Sequence, residues 1–156
     1  MSELAVKPTK PIKSKLYEFS ETANGVWKTF RYSSGECYRE YRSNAELFGL
    51  PLVSIVSGRN PETDQMGHAH GIIAIGQRAT GGLAIGQFVT GHIAIGQFSA
   101  GSMFAIGQFS IAPLSIGQFS LGLLTVGQIG AAAYGVFQAG AVLFDGIGQR
   151  LFSLFG

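Results

Sequence analysis

Residues 71–152 carry a hydrophobic pattern that repeats in blocks of five. Gly or Ala dominates the first position of a block, a large apolar residue the third, and a small residue the fourth. Glutamine takes the second position of every other block, so the full repeat has ten residues. Glycine at regular corners suits short strands joined by tight turns. The pattern predicts an all-β fold, a β-solenoid of about eight ten-residue coils, with a row formed by Gln77, Gln87, Gln97, Gln108, Gln118, Gln128, Gln138 and Gln149.

A transmembrane helix is the competing interpretation, because stretches such as 111–144 are apolar enough to suggest one. Glycines five residues apart would rotate by about 140° per step around a helix and would serve no single face. A close helix–helix contact needs glycines four apart. The spacing therefore favours the solenoid. A ten-residue coil stacks all glutamines in one row, whereas a twenty-residue coil would divide them between two faces, and their strict alternation favours ten.

Strand parity assigns the faces of the coil, because alternate residues of a strand point to opposite sides. The second position is chemically varied in blocks without glutamine, so we expect it to point outward. Positions three and five would then point inward, leaving the glutamines and the small fourth residues on a flat outer surface. Arg78 and Arg150 replace phenylalanine in the first and last glutamine blocks, as expected of terminal repeats. The core predicted in this way comprises Ile73, Leu83, Phe88, Ile93, Phe98, Phe109, Leu114, Phe119 and Leu124.

The rest of the chain divides into three parts. Residues 1–15 contain four lysines and two prolines, a composition typical of a disordered basic tail. Residues 16–65 alternate aromatic or β-branched residues with polar ones and predict a small antiparallel β cap with a connection to the repeats. The solenoid would span residues 66–152. The apolar end, residues 153–156, follows it, and Leu151, Phe152, Leu154 and Phe155 are candidate contacts between solenoid ends.

The distribution of charge is more informative than the net charge of +2. After Met66 only Arg78, Asp145 and Arg150 are charged, which is unusual for a surface that faces water. A single cysteine cannot form an intramolecular disulfide and fits a reducing compartment. The N-terminus lacks the apolar segment of a signal peptide. We therefore expect a cytoplasmic protein whose uncharged repeats are covered by another surface.

The segment RYSSGECYREYRSNAELFGLPLVSIVSGRNPET, followed by GIIAIGQ, resembles a set of uncharacterised bacterial proteins. In those proteins a segment like YxSxxxLFGLPLV precedes many GxIAIG units. The resemblance covers residues 38–152 and rests on Tyr41, Ser43, Leu47 and residues 49–53. It implies a β-solenoid behind a small cap, and it implies no activity.

A looser similarity links the blocks GQFSA and APLSI to pentapeptide-repeat proteins, with glycine replacing alanine. Some members of that family mimic DNA with an acidic surface. The repeats of this chain contain one acidic residue, Asp145, so the resemblance does not extend to that function.

Candidate chemistry is sparse. His68 and His70, two residues apart, could share a strand face and chelate a metal, but His92 lies too far along the chain to complete the site. A solvated turn is the simpler interpretation, so we expect no metal and no cofactor. The repeats also lack the basic and aromatic residues of a nucleic-acid interface, and regular outward threonines of an ice-binding face are absent. We expect neither nucleic-acid binding nor a small-molecule substrate.

The leading hypothesis is a non-catalytic scaffold that self-associates, or packs onto a larger assembly, through flat uncharged solenoid faces. Stacked glutamine amides would contribute to such a surface. The alternative is a membrane-associated binding module that uses an apolar solenoid surface together with the lysine-rich tail. Reversed parity would turn the phenylalanine row outward and would favour the membrane alternative. An enzyme using His68 and His70 would require a bound metal.

Overall fold

The computed structural model describes residues 17–153, apart from the side chains of residues 146 and 149–151. Within that range every regular element is a β-strand, and the predicted all-β class is confirmed. Six strands form one sheet in the order β1-β2-β3-β6-β7-β8, and β4 pairs with β5. The strands are β1 Tyr17–Thr22, β2 Gly25–Arg31, β3 Cys37–Ser43, β4 Glu46–Leu47, β5 Leu50–Pro51, β6 Val53–Ser57, β7 His68–Ile111 and β8 Leu114–Ser153.

The cap is an antiparallel arrangement of β1, β2, β3 and β6. Its side chains alternate as the sequence predicts, so that Phe30 and Tyr38, which are paired across β2 and β3, both point into the interior. Val56 is buried with them, and the ring of Tyr17 lies 5.5 Å from that of Phe30. The cap therefore has an ordinary core of large apolar residues.

Between β3 and β6 the chain forms a short hairpin of β4 and β5. Its two central residues, Phe48 and Gly49, have φ values of 55° and 75°. Positive φ at both positions is the geometry of a tight two-residue hairpin turn. Glycine adopts it freely, whereas Phe48 is a bulky residue held in the left-handed region with its side chain exposed.

The solenoid begins on the last strand of the cap. Val53–Val56 pair in parallel with Ile73–Gly76, so β6 forms the base on which β7 stacks. Farther along, Phe104–Gly107 pair in parallel with Leu114–Gly117, and Phe109–Ile111 pair with Phe119–Leu121. Partners are ten residues apart, so the chain there returns above itself once every ten residues. The predicted β-solenoid is confirmed, but the predicted count of eight coils is not.

Small side chains fill the interior of the solenoid. From Ala74 to Thr125 the fourth position of each block points inward, and none of these side chains is more than 5% exposed. Hydroxyl groups line the later coils, where Ser115 and Thr125 are hydrogen-bonded at 3.0 Å. The buried row consists of Ala74, Ala79, Ala84, Val89, Ala94, Ser99, Ala105, Ser110, Ser115, Ser120 and Thr125.

The predicted core of the solenoid is wrong, because the third position of the blocks faces outward. Seven of its nine residues are exposed, and the other two, Ile73 and Leu83, are half-buried. The fifth position also faces outward, as Ile95 and Ile116 show. The seven exposed residues are Phe88, Ile93, Phe98, Phe109, Leu114, Phe119 and Leu124.

The narrowness of the coil explains this reversal. Gly107 points inward, and a Cβ atom at that position would overlap the carbonyl oxygen of Gly96 and lie 2.9 Å from Ser99 Oγ. The first and fourth positions are two residues apart across the block boundary, so they share the inner face. Only Gly, Ala, Ser and similar residues fit between such close walls, and most large apolar residues are left outside. Phe137, in a later coil, is the exception: its ring is buried where Gly130, Gly135 and Gly140 leave room for it.

Candidate interaction surfaces of the solenoid

The blocks of five without glutamine carry a continuous apolar face. Their third and fifth positions point outward and stack in parallel rows, as Phe104 on Leu114 and Ile106 on Ile116 illustrate. A shallow groove of about 430 Å³ crosses the later coils of this face. The apolar face comprises Ile73, Ile75, Leu83, Ile85, Ile93, Ile95, Phe104, Ile106, Leu114, Ile116, Leu124, Val126, Tyr134 and Val136.

The blocks with glutamine carry a phenylalanine ladder at their third position, formed by Phe88, Phe98, Phe109 and Phe119. Successive ring centroids are 5.0, 4.8 and 4.9 Å apart, and the planes lie within 7° of parallel. Each ring is between 43% and 54% exposed. Because the rings cover each other's faces, the ladder presents its edges to the surroundings.

The glutamine row lies next to the ladder in sequence, at the corner of the coil. Every described glutamine from Gln87 to Gln138 is exposed, and Gln77 is half-buried with an Oε1 atom that has no hydrogen-bond partner. Among these described glutamines no side-chain hydrogen bond joins one coil to the next. The row is therefore a polar border along one edge of the apolar face, and the side chain of Gln149 lies outside the described residues.

The candidate metal ligands do not converge on one point. The rings of His68 and His70 are 6.5 Å apart, and His68 Nε2 is hydrogen-bonded to Thr80 Oγ1 at 2.8 Å. His92 Nδ1 is hydrogen-bonded to Ser102 Oγ at 2.6 Å. Burial, followed by the positive charge of Arg78, lowers the pKa of His68. Over the described part of the chain, no three His, Cys, Asp or Glu side chains are grouped closely enough to hold a metal ion.

Of the predicted end contacts, Phe152 is described and is 69% exposed. The side chain of Leu151, and all of Leu154 and Phe155, lie outside the described residues. The exposed isoleucines and valines at the fifth position were not predicted as surface residues. The small residues at most first and fourth positions were the signal, because residues that must be small mark the inside of a narrow coil.

Between residues 17 and 153 there is no helix long and apolar enough to cross a membrane. The large apolar residues that make the repeats hydrophobic lie in rows on the outside of the solenoid.

No family model matches the chain, and neither a curated protein nor a solved structure matches it. The resemblance to bacterial proteins with GxIAIG units therefore stays an expectation from the sequence.

Proposed function

We propose that this chain is a non-catalytic structural protein that self-associates through the apolar face of its solenoid. The observation that carries the proposal is the inverted arrangement of the coils, with small residues inside and large apolar residues outside. A monomer in water would leave rows of isoleucine, leucine and valine exposed, and contiguous apolar surface of this extent marks an interaction site. Burying it against a partner recovers about 25 cal/mol per Å² of apolar area.

A second copy of the chain is the partner that fits this face best. The rows of the apolar face repeat at the spacing of stacked strands, about 4.8 Å. A second solenoid presents rows with the same spacing, so the ridges of one copy can pack between those of the other over the whole face. Two flat sheets packed in this way lie about 10 Å apart. The eight coils expected from the repeat would extend the contact along the full solenoid.

The charge distribution supports association between identical copies. Between Arg78 and Asp145 the sequence contains no Asp, Glu, Lys or Arg. Over these coils two copies can therefore approach without repulsion between like charges and without burying a charge, which would be costly. Asp145 lines the far end of the groove on this face, so the closest contact is expected over the coils before it. The exposed ring of Phe152 adds a second contact, through which solenoids could stack end to end.

The proposal of a non-catalytic role rests on how few reactive groups the coils carry. Catalysis needs titratable groups held together in a pocket. His68 and His92 are hydrogen-bonded to separate hydroxyl groups, and the grooves of the solenoid are lined mainly by apolar side chains.

Sedimentation of the purified chain over a range of concentrations tests the proposal. We expect association that increases with concentration and that is strongly reduced by Ile116→Lys with Val126→Lys, because these adjacent side chains lie on the apolar face. The control is Ile111→Lys with Leu121→Lys, which adds the same charges at the same block position on the opposite face, at similar exposure. A wild-type chain that stays monomeric at every concentration would refute self-association. Equal loss in both variants would refute the choice of face.

Association with a membrane is the second candidate function, and the outward phenylalanine row is the observation that favours it. A membrane-surface module buries one apolar side in the lipid and keeps a polar side in water. In this solenoid both faces carry exposed apolar rows, so neither is the polar side that such a module keeps in water. Self-association is preferred because a second copy also matches the spacing of the rows. Flotation with phosphatidylcholine vesicles at high salt distinguishes the two, because binding that persists without self-association would support the membrane function.

A further inference from the structure

A groove runs beside the phenylalanine ladder, on the face opposite the proposed self-association surface. In the early coils the fifth position of the glutamine blocks carries a small residue, which is Thr80, Thr90 or Ala100. The rings of the ladder project beside these small residues. The result is a groove of about 300 Å³. A second groove of about 300 Å³ continues from it to Ile129 and shares Phe109 and Ile111 with the first.

One end of this ladder groove carries a positive charge. Arg78 occupies the ladder position one coil before Phe88 and lines the groove together with His68 and Thr80. It is the only arginine or lysine among the described side chains of the solenoid, and within the described residues it forms no ion pair. The lowered pKa of His68 keeps that imidazole neutral near pH 7, so the fixed charge at this end belongs to Arg78.

We propose that the ladder groove binds one long-chain fatty acid, with its carboxylate on Arg78 and its acyl chain along the phenylalanine ladder. An isolated cation at the end of an apolar groove is complementary to an anionic head on an apolar chain. Guanidinium groups bind carboxylates through paired, charge-assisted hydrogen bonds. The free hydrogen-bonding capacity of Arg78 is thus satisfied by the ligand.

The length of the groove agrees with this ligand. Arg78 and Phe119 are four coils apart, which is about 19 Å at the spacing of stacked strands. A membrane acyl chain spans about 15 Å, half of a hydrocarbon core about 30 Å thick. A chain with its carboxylate at Arg78 would therefore lie against the rings of Phe88, Phe98 and Phe109, and against Thr90 and Ala100 on the opposite wall.

Calorimetric titration of the full chain with palmitate, below the concentration at which palmitate aggregates, tests the proposal. We expect saturable binding of one palmitate per chain, and a reduction of about tenfold or more in affinity for Arg78→Gln. Hexadecanol, which has the same chain without the charge, should bind the wild type and Arg78→Gln equally. Palmitate uptake that does not saturate, or equal palmitate affinity in both proteins, would overturn the proposal.

A pair of groove-filling variants tests the position of the acyl chain. Thr90→Phe places a ring in the ladder groove and should abolish palmitate binding. Val126→Phe places the same ring at the same block position on the apolar face and should leave binding unchanged. Circular dichroism establishes that both variants are folded. If Val126→Phe abolished binding and Thr90→Phe did not, the ligand would lie on the other face and the proposal would be wrong.

The remaining outcomes separate this inference from the proposed function. Ile116→Lys with Val126→Lys should lose self-association and still bind palmitate, because the two surfaces lie on opposite sides of the coil. Binding to phosphatidylcholine vesicles without binding of monomeric palmitate would assign the groove to a bilayer surface and would refute the fatty-acid site.

Discussion

The cap and the solenoid place their large apolar residues on opposite sides of the sheet. In the cap, Phe30 and Tyr38 are 6% and 3% exposed, as in an ordinary core. In the solenoid, Phe109 is 43% exposed while the neighbouring Ser110 is 1% exposed. Both regions alternate by strand parity, so the difference lies in the space available. The distance between opposing walls decides which residues can be inside, and in a narrow coil that distance overrides hydrophobicity.

The largest effect that this comparison predicts comes from enlarging the inside of the coil. In Gly107→Val, the new side chain would meet the backbone of Gly96, which cannot move without breaking the stack. Overpacking ordinarily costs about 1–3 kcal/mol. Because backbone is the obstacle here, we expect more than about 3 kcal/mol and loss of the folded solenoid, measured by urea unfolding followed by circular dichroism.

Gly82→Val is the matched control, since it adds the same side chain at an outward position. A Cβ atom at Gly82 would lie 3.0 Å from the carbonyl oxygen of Ile72, a contact that a small local shift relieves. His92 occupies the corresponding position in the next coil. We expect a urea midpoint close to that of the wild type. Similar midpoints for Gly107→Val and the wild type would show that the coil is wider than described.

The second largest effect should come from the cap. Phe30→Ala removes a buried ring that packs against Tyr17 and Tyr32, and buried phenylalanines replaced by alanine cost about 3–5 kcal/mol. The free energy of unfolding, measured by urea at one low protein concentration, should fall by that amount. An unchanged midpoint would mean that Phe30 is not part of the core of the cap.

The same substitution in the solenoid should cost less. Phe109→Ala removes a ring that is already about half exposed, so little apolar area is lost from the interior. The loss is mainly its stacking on Phe98 and Phe119, and such pairs contribute about 0.5–1.5 kcal/mol each. A smaller decrease than for Phe30→Ala, with the fold retained, is the expected result. A larger decrease would mean that the ladder is a buried core after all.

The sequence predicted the class of fold because that class depends on periodicity. Glycine every five residues and glutamine every ten exclude a helical face and require regular corners. The inside of the coil was predicted wrongly because hydrophobicity was used to decide which of the two alternating sets of residues faces inward. That choice works for Phe30 and Tyr38, whose strands enclose a wide interior. It fails for Phe109 and Leu114, where the interior has no room for them.

The candidate site was predicted only in part for the same reason. The exposed glutamines follow from the sequence, but the apolar face and the ladder groove become apparent only with the reversed parity. Arg78 was recognised as a terminal substitution in the phenylalanine row. Its position at the end of a groove could not be predicted, because the groove depends on which side chains stand on the outside.

Alkaline pH should weaken the cap before it weakens the coils. Burial, and the hydrogen bond from its hydroxyl group to Glu62, raise the pKa of Tyr17 to about 12 from 10.0. Burial and a hydrogen bond to Glu40 likewise raise the pKa of Tyr38. The folded cap thus holds these protons more tightly than the unfolded chain does. Their contribution to stability is complete below pH 10 and falls as the pH rises from 10 toward 12.

Tyr17→Phe separates this effect from general alkaline unfolding. The variant lacks the hydroxyl group that titrates, so its urea midpoint should decline less steeply between pH 10 and 12 than that of the wild type. Tryptophan fluorescence reports on the cap, since Trp27 lies in β2. If the urea midpoints of both proteins declined equally between pH 10 and 12, ionisation of Tyr17 would not contribute to the loss of stability.

The smallest effect is expected at the glutamine row, which borders the apolar face. Gln97→Glu with Gln108→Glu places two carboxylates on adjacent coils, about 5 Å apart. In water two charges at that distance repel by about 1 kcal/mol or less, so the fold should survive. Self-association should weaken by only a few-fold, because the charges lie at the edge of the contact.

Gln97→Glu with Gln128→Glu is the control, because it adds the same net charge with the two carboxylates three coils apart. That separation is about 14 Å, beyond the screening length of about 10 Å at 0.1 M salt. The adjacent pair should lower the urea midpoint slightly and the separated pair should not, whereas both should weaken self-association equally in sedimentation. If either pair abolished self-association as completely as Ile116→Lys with Val126→Lys, the glutamine row would lie at the centre of the interface, and the apolar face would be its margin.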